Sequence, residues 1–327
     1  MKVVITGSSG FYGTHLIDVL FNNVEDIEIV GIDTDQRLND FPVDPFTVIR
    51  NQDALNERFE RISMDFRELN SDKIDSWNSD YIIHLAALVS IPESMKIPLD
   101  YFQVNEYGTF NLCQELVKTK TQPHLIYASS PEVYGNPSYT PIDIDHPFKP
   151  RSFYAASKLA AEKHCMVLHE WYNYPVTVVR NFNTYGENQS NTYRGFPAVV
   201  PDFITKALTN KKLTIHDDGN QTRDLMYVKD AVDAYKRVIE KNNESKGQTF
   251  NIGTGIQTSI KNLAQKIISI SDSKSEIDFI EGRPADLERL EADISKTSEI
   301  LDWSPKFNIE EGLKITIKWY KNLIDRE

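Results

Sequence analysis

The chain has no excess of positive charge. Across 327 residues it carries 36 Lys+Arg against 48 Asp+Glu, a formal net charge of −12. That sign disfavours a general binder of nucleic acid or anionic membrane and leaves room only for local basic pockets. Cysteine is scarce as well. Cys113 and Cys165 stand far apart, with no CxxC or zinc-type spacing. This excludes a disulfide scaffold and fits a reducing, cytoplasmic compartment. No stretch approaches the roughly 20 apolar residues of a membrane span. Met1–Ile5 is apolar but enters a Gly-rich turn at once, without the cleavage region of a secretory leader. His84, His146 and His216 share no spacing with carboxylates, so no metal is expected.

What is present is a folded α/β pattern. Hydrophobic residues make up 40% and charged residues 26%, which excludes disorder as the main state. Short β-branched runs alternate with helical periodicity: strands at Val3–Thr6, Glu28–Asp33, Tyr81–Ala86, His124–Ser129 and Val176–Arg180, with helices at about 12–21, 99–118 and 154–172. That alternation predicts a doubly wound parallel sheet covered on both faces. Beyond Arg180 the chain becomes rich in Asn, Gly and Pro. Helices are expected at 199–208 and 224–240, strands at 248–252 and 277–280, and a last helix after Trp303–Pro305. The expected division is a dinucleotide-binding unit over 1–180, rejoined by about 224–255. A small C-terminal α/β lobe would then use 181–223 and 256–327.

The first strand runs into Gly7-Ser8-Ser9-Gly10-Phe11-Tyr12-Gly13, which opens a helix. Glycines there let the backbone turn sharply and approach a pyrophosphate, and the helix N-terminus offers unpaired N–H groups. Asp33 ends the second strand 20 residues after Gly13. A carboxylate at that place accepts from both ribose hydroxyls and repels a 2′-phosphate, so the reading is NAD, with Arg37 close enough to leave NADP open. Tyr154 and Lys158 are spaced i, i+4 on one helix face. A neighbouring ammonium and a nicotinium ring are together expected to draw the phenol's pKa down from about 10 towards the working range, making it a base. Ser130 ends an upstream strand, on the ligand side of a parallel sheet, where it can share a substrate hydroxyl with Tyr154.

With these residues in hand, the chain resembles the extended short-chain dehydrogenase/reductase family, in its nucleotide-sugar epimerase, dehydratase and decarboxylase group. The likeness spans nearly the whole length. Its carriers are Thr6–Gly13, Asp65-Phe66, His84–Ala87, Asn105, Ser129–Gly135, Tyr154 with Lys158, Arg180–Gly186, Gln221–Asp224 and Gly282–Asp286. The resemblance implies a Rossmann-type domain with a small substrate lobe, bound NAD, and a homodimer joined through the helices near 99–118 and 154–172. It implies that Asp65 and Phe66 flank adenine, that Ala86 and Ala87 line the cofactor groove, and that Asn105 braces the active-site helix. Ser90, Asn183 and Val200 would meet the substrate. Arg223 and Arg283 would pair with its phosphates, and Asp286 with its ribose. An arginine clamp is also the physical expectation for a diphosphate entering an acidic protein. Three positions depart from the family or vary within it: Ala285 replaces a usual Gly, Glu187 a frequent Pro, and Leu290 sits where some epimerases carry a larger aromatic gate. Leu290 is either room for an N-acetyl group or a core contact.

Every candidate reaction of that group starts with Tyr154 removing the 4-hydroxyl proton and passes through a 4-keto sugar. A 4-epimerase needs no further base. A 4,6-dehydratase must also remove the C5 proton, and a uronate decarboxylase uses the ketone as an electron sink. Glu132 follows Ser130 by two, where dehydratases and decarboxylases carry Glu. Pro131, however, stands where dTDP-glucose dehydratases carry an acid. The run over 282–293 looks more like the epimerase branch. The expected function is thus an NAD-dependent nucleotide-sugar 4-epimerase, with dehydratase or UDP-glucuronate decarboxylase as alternatives and a non-catalytic NAD-binding sensor as a remote one.

Overall fold

The computed structural model describes residues 1–36, 41, 43–190, 198–282 and 287–325. Arg37, Arg283, Ala285 and Asp286 lie outside the described residues. The first strand, β1 (Lys2–Thr6), is followed by α1 (Phe11–Asn23), β2 (Glu28–Asp33), β3 (Phe59–Ser63) and α2 (Ser71–Trp77). Next come β4 (Tyr81–His84), α3 (Gly108–Lys118), β5 (His124–Ser129), α4 (Phe153–Tyr172) and β6 (Val176–Asn181). β10 (Gln248–Ile252) returns later in the chain, and the seven strands form one sheet in the order β10-β6-β5-β4-β1-β2-β3. Every neighbouring pair is parallel. The strand order reverses at β1, between β2 and β4, which is where such sheets open a crevice at their carboxyl ends.

β1 shows why the sheet is covered on both sides. Val3 and Ile5 face one hydrophobic cluster, while Val4 between them faces another. Alternate side chains of a strand point to opposite faces, so a strand buried twice reads as a continuous apolar run. The first cluster continues from Val3 through Phe203 and Trp303 to Tyr320, so the C-terminal elements share an interior with the sheet.

Those later elements are α5 (Val199–Leu208), α6 (Val228–Glu240), α7 (Ile260–Ile270), α8 (Ser295–Leu301) and α9 (Ile309–Ile324). Short strands accompany them: β7 (Asn183–Tyr185), β8 (Leu213–His216), β9 (Thr222–Tyr227), β11 (Gln257–Ser259) and β12 (Ile277–Ile280). They pair as β11-β9-β7 and β12-β8. The helix expected from Asp224 begins only at Val228, because Asp224 belongs to β9. Its buried carboxylate accepts from the backbone N–H of Thr254, Gly255 and Ala292, which pins that stretch as a strand. The strand expected to reach Ala86 stops at His84. β3 carried no sequence signal, being a half-exposed edge strand of sequence FERIS.

Candidate functional site

The Gly-rich loop lies against the end of β4. Gly7 has φ +77°, and a Cβ there would sit 2.8 Å from the Ala86 nitrogen. A Cβ on Gly13 would come within 2.3 Å of the Gly7 carbonyl oxygen. Both positions therefore require glycine for a close backbone approach. Gly10 caps α1 without any side-chain hydrogen bond, so Phe11, Tyr12 and Gly13 form an open first turn. At the end of β2, Asp33 accepts from the backbone N–H of Ser9 at 3.0 Å and of Asp35 at 2.9 Å. Burial pushes its carboxyl above the usual range against these N–H groups. A cradle of backbone with a carboxylate at the far end fits a pyrophosphate and a ribose.

The neighbours of this groove are mixed. Asp65 is engaged by its own neighbour, accepting from Arg67 Nε at 3.0 Å and Nη2 at 2.6 Å. The Phe66 ring is core, its centroid 4.7 Å from that of His84, so what it can offer a ligand is main chain. Ala86 and Ala87 follow β4 and are half-buried. Asn105 is fully enclosed. It accepts from Leu88 N at 2.8 Å and donates to Leu88 O at 2.9 Å and to Ser157 Oγ on α4 at 3.2 Å.

Tyr154 and Ser130 are both buried, and Ser130 lies near enough to the phenol to act on its pKa. Helix α4 is started by Ser152, whose side chain accepts from Ala155 N, and this sets Tyr154 in the first turn. Lys158 lies one turn further, its Nζ donating to Ala128 O at the end of β5 and lying 4.3 Å from the Tyr127 ring centre. The protein's own side chains do not by themselves bring the phenol's pKa down. Burial pushes Tyr154 up to about 12; Ser130 pulls it down, and the Glu132 carboxylate adds to the rise. Burial also brings Lys158 down to about 7, so it is a weak source of positive charge. Glu132 sits on the short turn Pro131–Tyr134, half-buried, with its N–H donated to Ser130 Oγ at 3.3 Å.

On the substrate side, Ser90 caps a short helical turn, accepting from Glu93 N, and its own N–H donates to the Tyr101 hydroxyl at 2.9 Å. Asn183 on β7 has a buried Oδ1 without a hydrogen-bond partner among the described residues, an acceptor waiting for a donor. Arg223 donates to the carbonyls of Thr222 and Leu287. Two more positions lie in the interior. Val200 is buried in the main cluster. Leu290 is fully buried with Val133, Tyr134 and Phe182, the core contact that was one of its two readings. Among the described residues no group of His, Cys, Asp or Glu is arranged to hold a metal ion, and no helix is long and apolar enough to cross a membrane.

The sequence reading missed the charge pair beneath the site. Glu162 lies on α4, four residues after Lys158, and is ion-paired with Arg180 of β6 at 2.6 Å. It also accepts from Ser129 Oγ at 2.8 Å. Its i+4 and i+8 spacing from Lys158 and Tyr154 was the available signal.

Comparison with known proteins agrees with this geometry. The family model described as GDP-mannose 4,6 dehydratase matches residues 4–316. A putative UDP-glucose 4-epimerase of Methanocaldococcus jannaschii is 32% identical, over 98% of this chain and 98% of that protein. The human dTDP-D-glucose 4,6-dehydratase is 30% identical, over 98% of this chain and 90% of that protein. Among solved structures, the UDP-glucuronic acid 4-epimerase of Bacillus cereus, in complex with UDP-glucuronic acid and NAD, superposes with a TM-score of 0.88. It shares 29% identity, covering 99% of this chain and 100% of that one.

Proposed function

The chain belongs to the GDP-mannose 4,6-dehydratase family of the extended short-chain dehydrogenases/reductases, and we propose that it is an NAD-dependent nucleotide-sugar 4-epimerase working through a transient 4-keto sugar. The observation that carries this reading is the placement of buried Tyr154 and Ser130 together at the carboxyl end of the parallel sheet. The loop from Gly7 to Gly13 would hold the pyrophosphate, Asp33 the adenosine ribose, and Asp65 with the Phe66 main chain the adenine. NAD, when bound, supplies a hydride acceptor and a cationic ring that offsets the burial keeping Tyr154 protonated.

Tyr154 removes one proton at the sugar 4-oxygen and returns it, acting as base and then acid. Ser130 shares that oxygen and fixes its direction. Lys158 holds the end of β5 through Ala128 and can reach a ribose hydroxyl. Asn183, through its Oδ1, unpartnered among the described residues, would accept from the sugar nucleotide, and Arg223 would pair with its phosphates. The C-terminal elements from 181 onward form the substrate side. The acidic balance and the absence of a CxxC framework favour a cytoplasmic enzyme. A homodimer through α3 and α4 is supported by the exposed aromatic row on their outer face.

The test is a panel of UDP-, GDP-, CDP- and dTDP-sugars, followed by mass and epimer analysis. An unchanged mass with an inverted carbon is expected. Tyr154→Phe should lower turnover by about 10²-fold or more; near-normal turnover would remove Tyr154 as the base. A second reading, dehydratase or decarboxylase, is supported by one observation: half-buried Glu132 stands on the turn that begins at Ser130, at the same strand end. Loss of water or of CO₂ from the substrate, abolished by Glu132→Gln, would establish it.

A further inference from the structure

A second carboxylate stands beside Asp33. Asp35 accepts from Ser9 Oγ at 2.7 Å and is ion-paired with Arg61 of β3 at 2.7 Å. Its N–H donates to one oxygen of Asp33, while the Ser9 N–H donates to the other. Ser9 of the Gly-rich loop thus ties down both carboxylates at once. The Arg61 guanidinium lies over the Phe46 ring, 5.3 Å from its centre. Its charge also reaches Asp33, where it opposes the effect of burial. On its outer side is a cavity of about 710 Å³, bordered by Asp44, Phe46, Thr47, Gln52, Asn56 and Arg61. A guanidinium next to the ribose-binding carboxylate, with open space beside it, is what a 2′-phosphate would use. Here Asp35 already occupies it.

We propose that Asp35 is a specificity-determining residue which excludes NADP by holding Arg61 in an ion pair and by placing a second negative charge where a 2′-phosphate would come. The inference rests on the reading that the Gly7–Gly13 loop holds NAD. It goes beyond Asp33 in one respect: the guanidinium needed for NADP is present in the chain and is masked by a neighbour. Neutralising Asp35 then does two things together. It removes a repulsive charge, and it frees a bidentate donor.

Asp35 has φ +58°, a conformation that Asn adopts readily, so Asp35→Asn changes charge with little change in shape. The full-length protein, stripped of nucleotide, is titrated with NAD and with NADP by calorimetry. The wild type is expected to prefer NAD. Asp35→Asn is expected to tighten NADP binding by about tenfold or more, and Asp35→Asn with Arg61→Gln is expected to lose most of that gain. Unchanged NADP affinity in Asp35→Asn overturns the proposal, as does a gain left undiminished by removal of Arg61. A wild type that binds neither nucleotide overturns the cofactor reading itself and takes this inference with it. Thermal melting of each variant confirms that a folded protein was titrated.

Discussion

The Lys158 ammonium donates to the Ala128 carbonyl oxygen at 2.5 Å, so the charged end of the active-site helix is tied to the tip of β5 instead of to solvent. The arrangement fixes α4 against the sheet and encloses the ammonium. Enclosure has a thermodynamic signature. Lys158 is brought down to about 7 from its ordinary value of 10.5. Between those two values the unfolded chain holds a proton that the folded chain has released, so stability rises with pH across that window. Below about 7 both states are charged, and the buried ammonium weighs against the fold in full. Lys158→Met is therefore expected to stabilise the nucleotide-free protein most at pH 6 and progressively less towards pH 10, while losing activity. Thermal midpoints of both proteins across that range test this. A difference independent of pH would show that Lys158 keeps its proton inside the fold.

The ion pair between Glu162 and Arg180 predicts a different kind of loss. Arg180 Nη1 also donates to Ile144 O at 3.1 Å, and the Tyr134 hydroxyl beside it donates to Asn251 Oδ1 at 2.7 Å. This buried network joins α4, β6, the Glu132 turn and β10. Removing one partner of a buried pair leaves a charge without compensation, at about 3–5 kcal/mol. Glu162→Ala should lower unfolding stability by that amount in a urea titration. A loss below about 1 kcal/mol would mean that water or another carboxylate takes over the guanidinium.

The outer face of α3 and α4 carries apolar surface with no partner in the monomer. Phe102, Tyr107 and Phe110 stack in succession with ring centroids 6.3 and 6.5 Å apart, and Phe110 meets His164 of α4 at 5.2 Å. Trp171, near the end of α4, is 81% exposed. Exposed aromatics of this kind are where the proposed dimer would join. Phe110→Glu replaces a surface residue, so folding should survive with a change within about 0.5 kcal/mol. Light scattering is expected to show a dimer for the wild type and a monomer for the variant. An unaltered dimer would move the interface elsewhere.

How much of this could be read in advance follows from where each signal resides. Val3–Thr6 and His124–Ser129 are central parallel strands, doubly buried, and their apolar runs are unambiguous. β3 lies at the sheet edge and alternates too weakly to be seen. The stretch from Asp224 reads as the start of a helix, and only the fold supplies the backbone donors that let that carboxylate sit inside β9. The Tyr154, Lys158 and Ser130 set was legible because two members share a helix face and the third ends a strand. The weight of burial on the phenol's pKa was not, since spacing does not report burial. Val200 and Leu290 show the same limit: residue type alone does not separate a groove wall from a core.

Tyr12 gives the last prediction. Its ring packs edge-on to Tyr235, 6.2 Å between centroids, and its hydroxyl bonds Thr184 Oγ1 of β7. Thr184 spends its own proton on the Phe182 carbonyl at 3.0 Å, so Tyr12 must be the donor. Burial pushes the Tyr12 phenol well above its usual range, which keeps that donor protonated at any working pH. The bond runs from the first turn of the cofactor helix to the residue after Asn183, and so ties the two halves of the groove together. Tyr12→Phe deletes only the oxygen. It should cost about 0.5–1.5 kcal/mol of stability and raise KM for the nucleotide sugar more than it lowers kcat, because Asn183 loses its anchored neighbour. An equal fall in kcat at unchanged KM would place the Tyr12 hydroxyl in the chemical step instead.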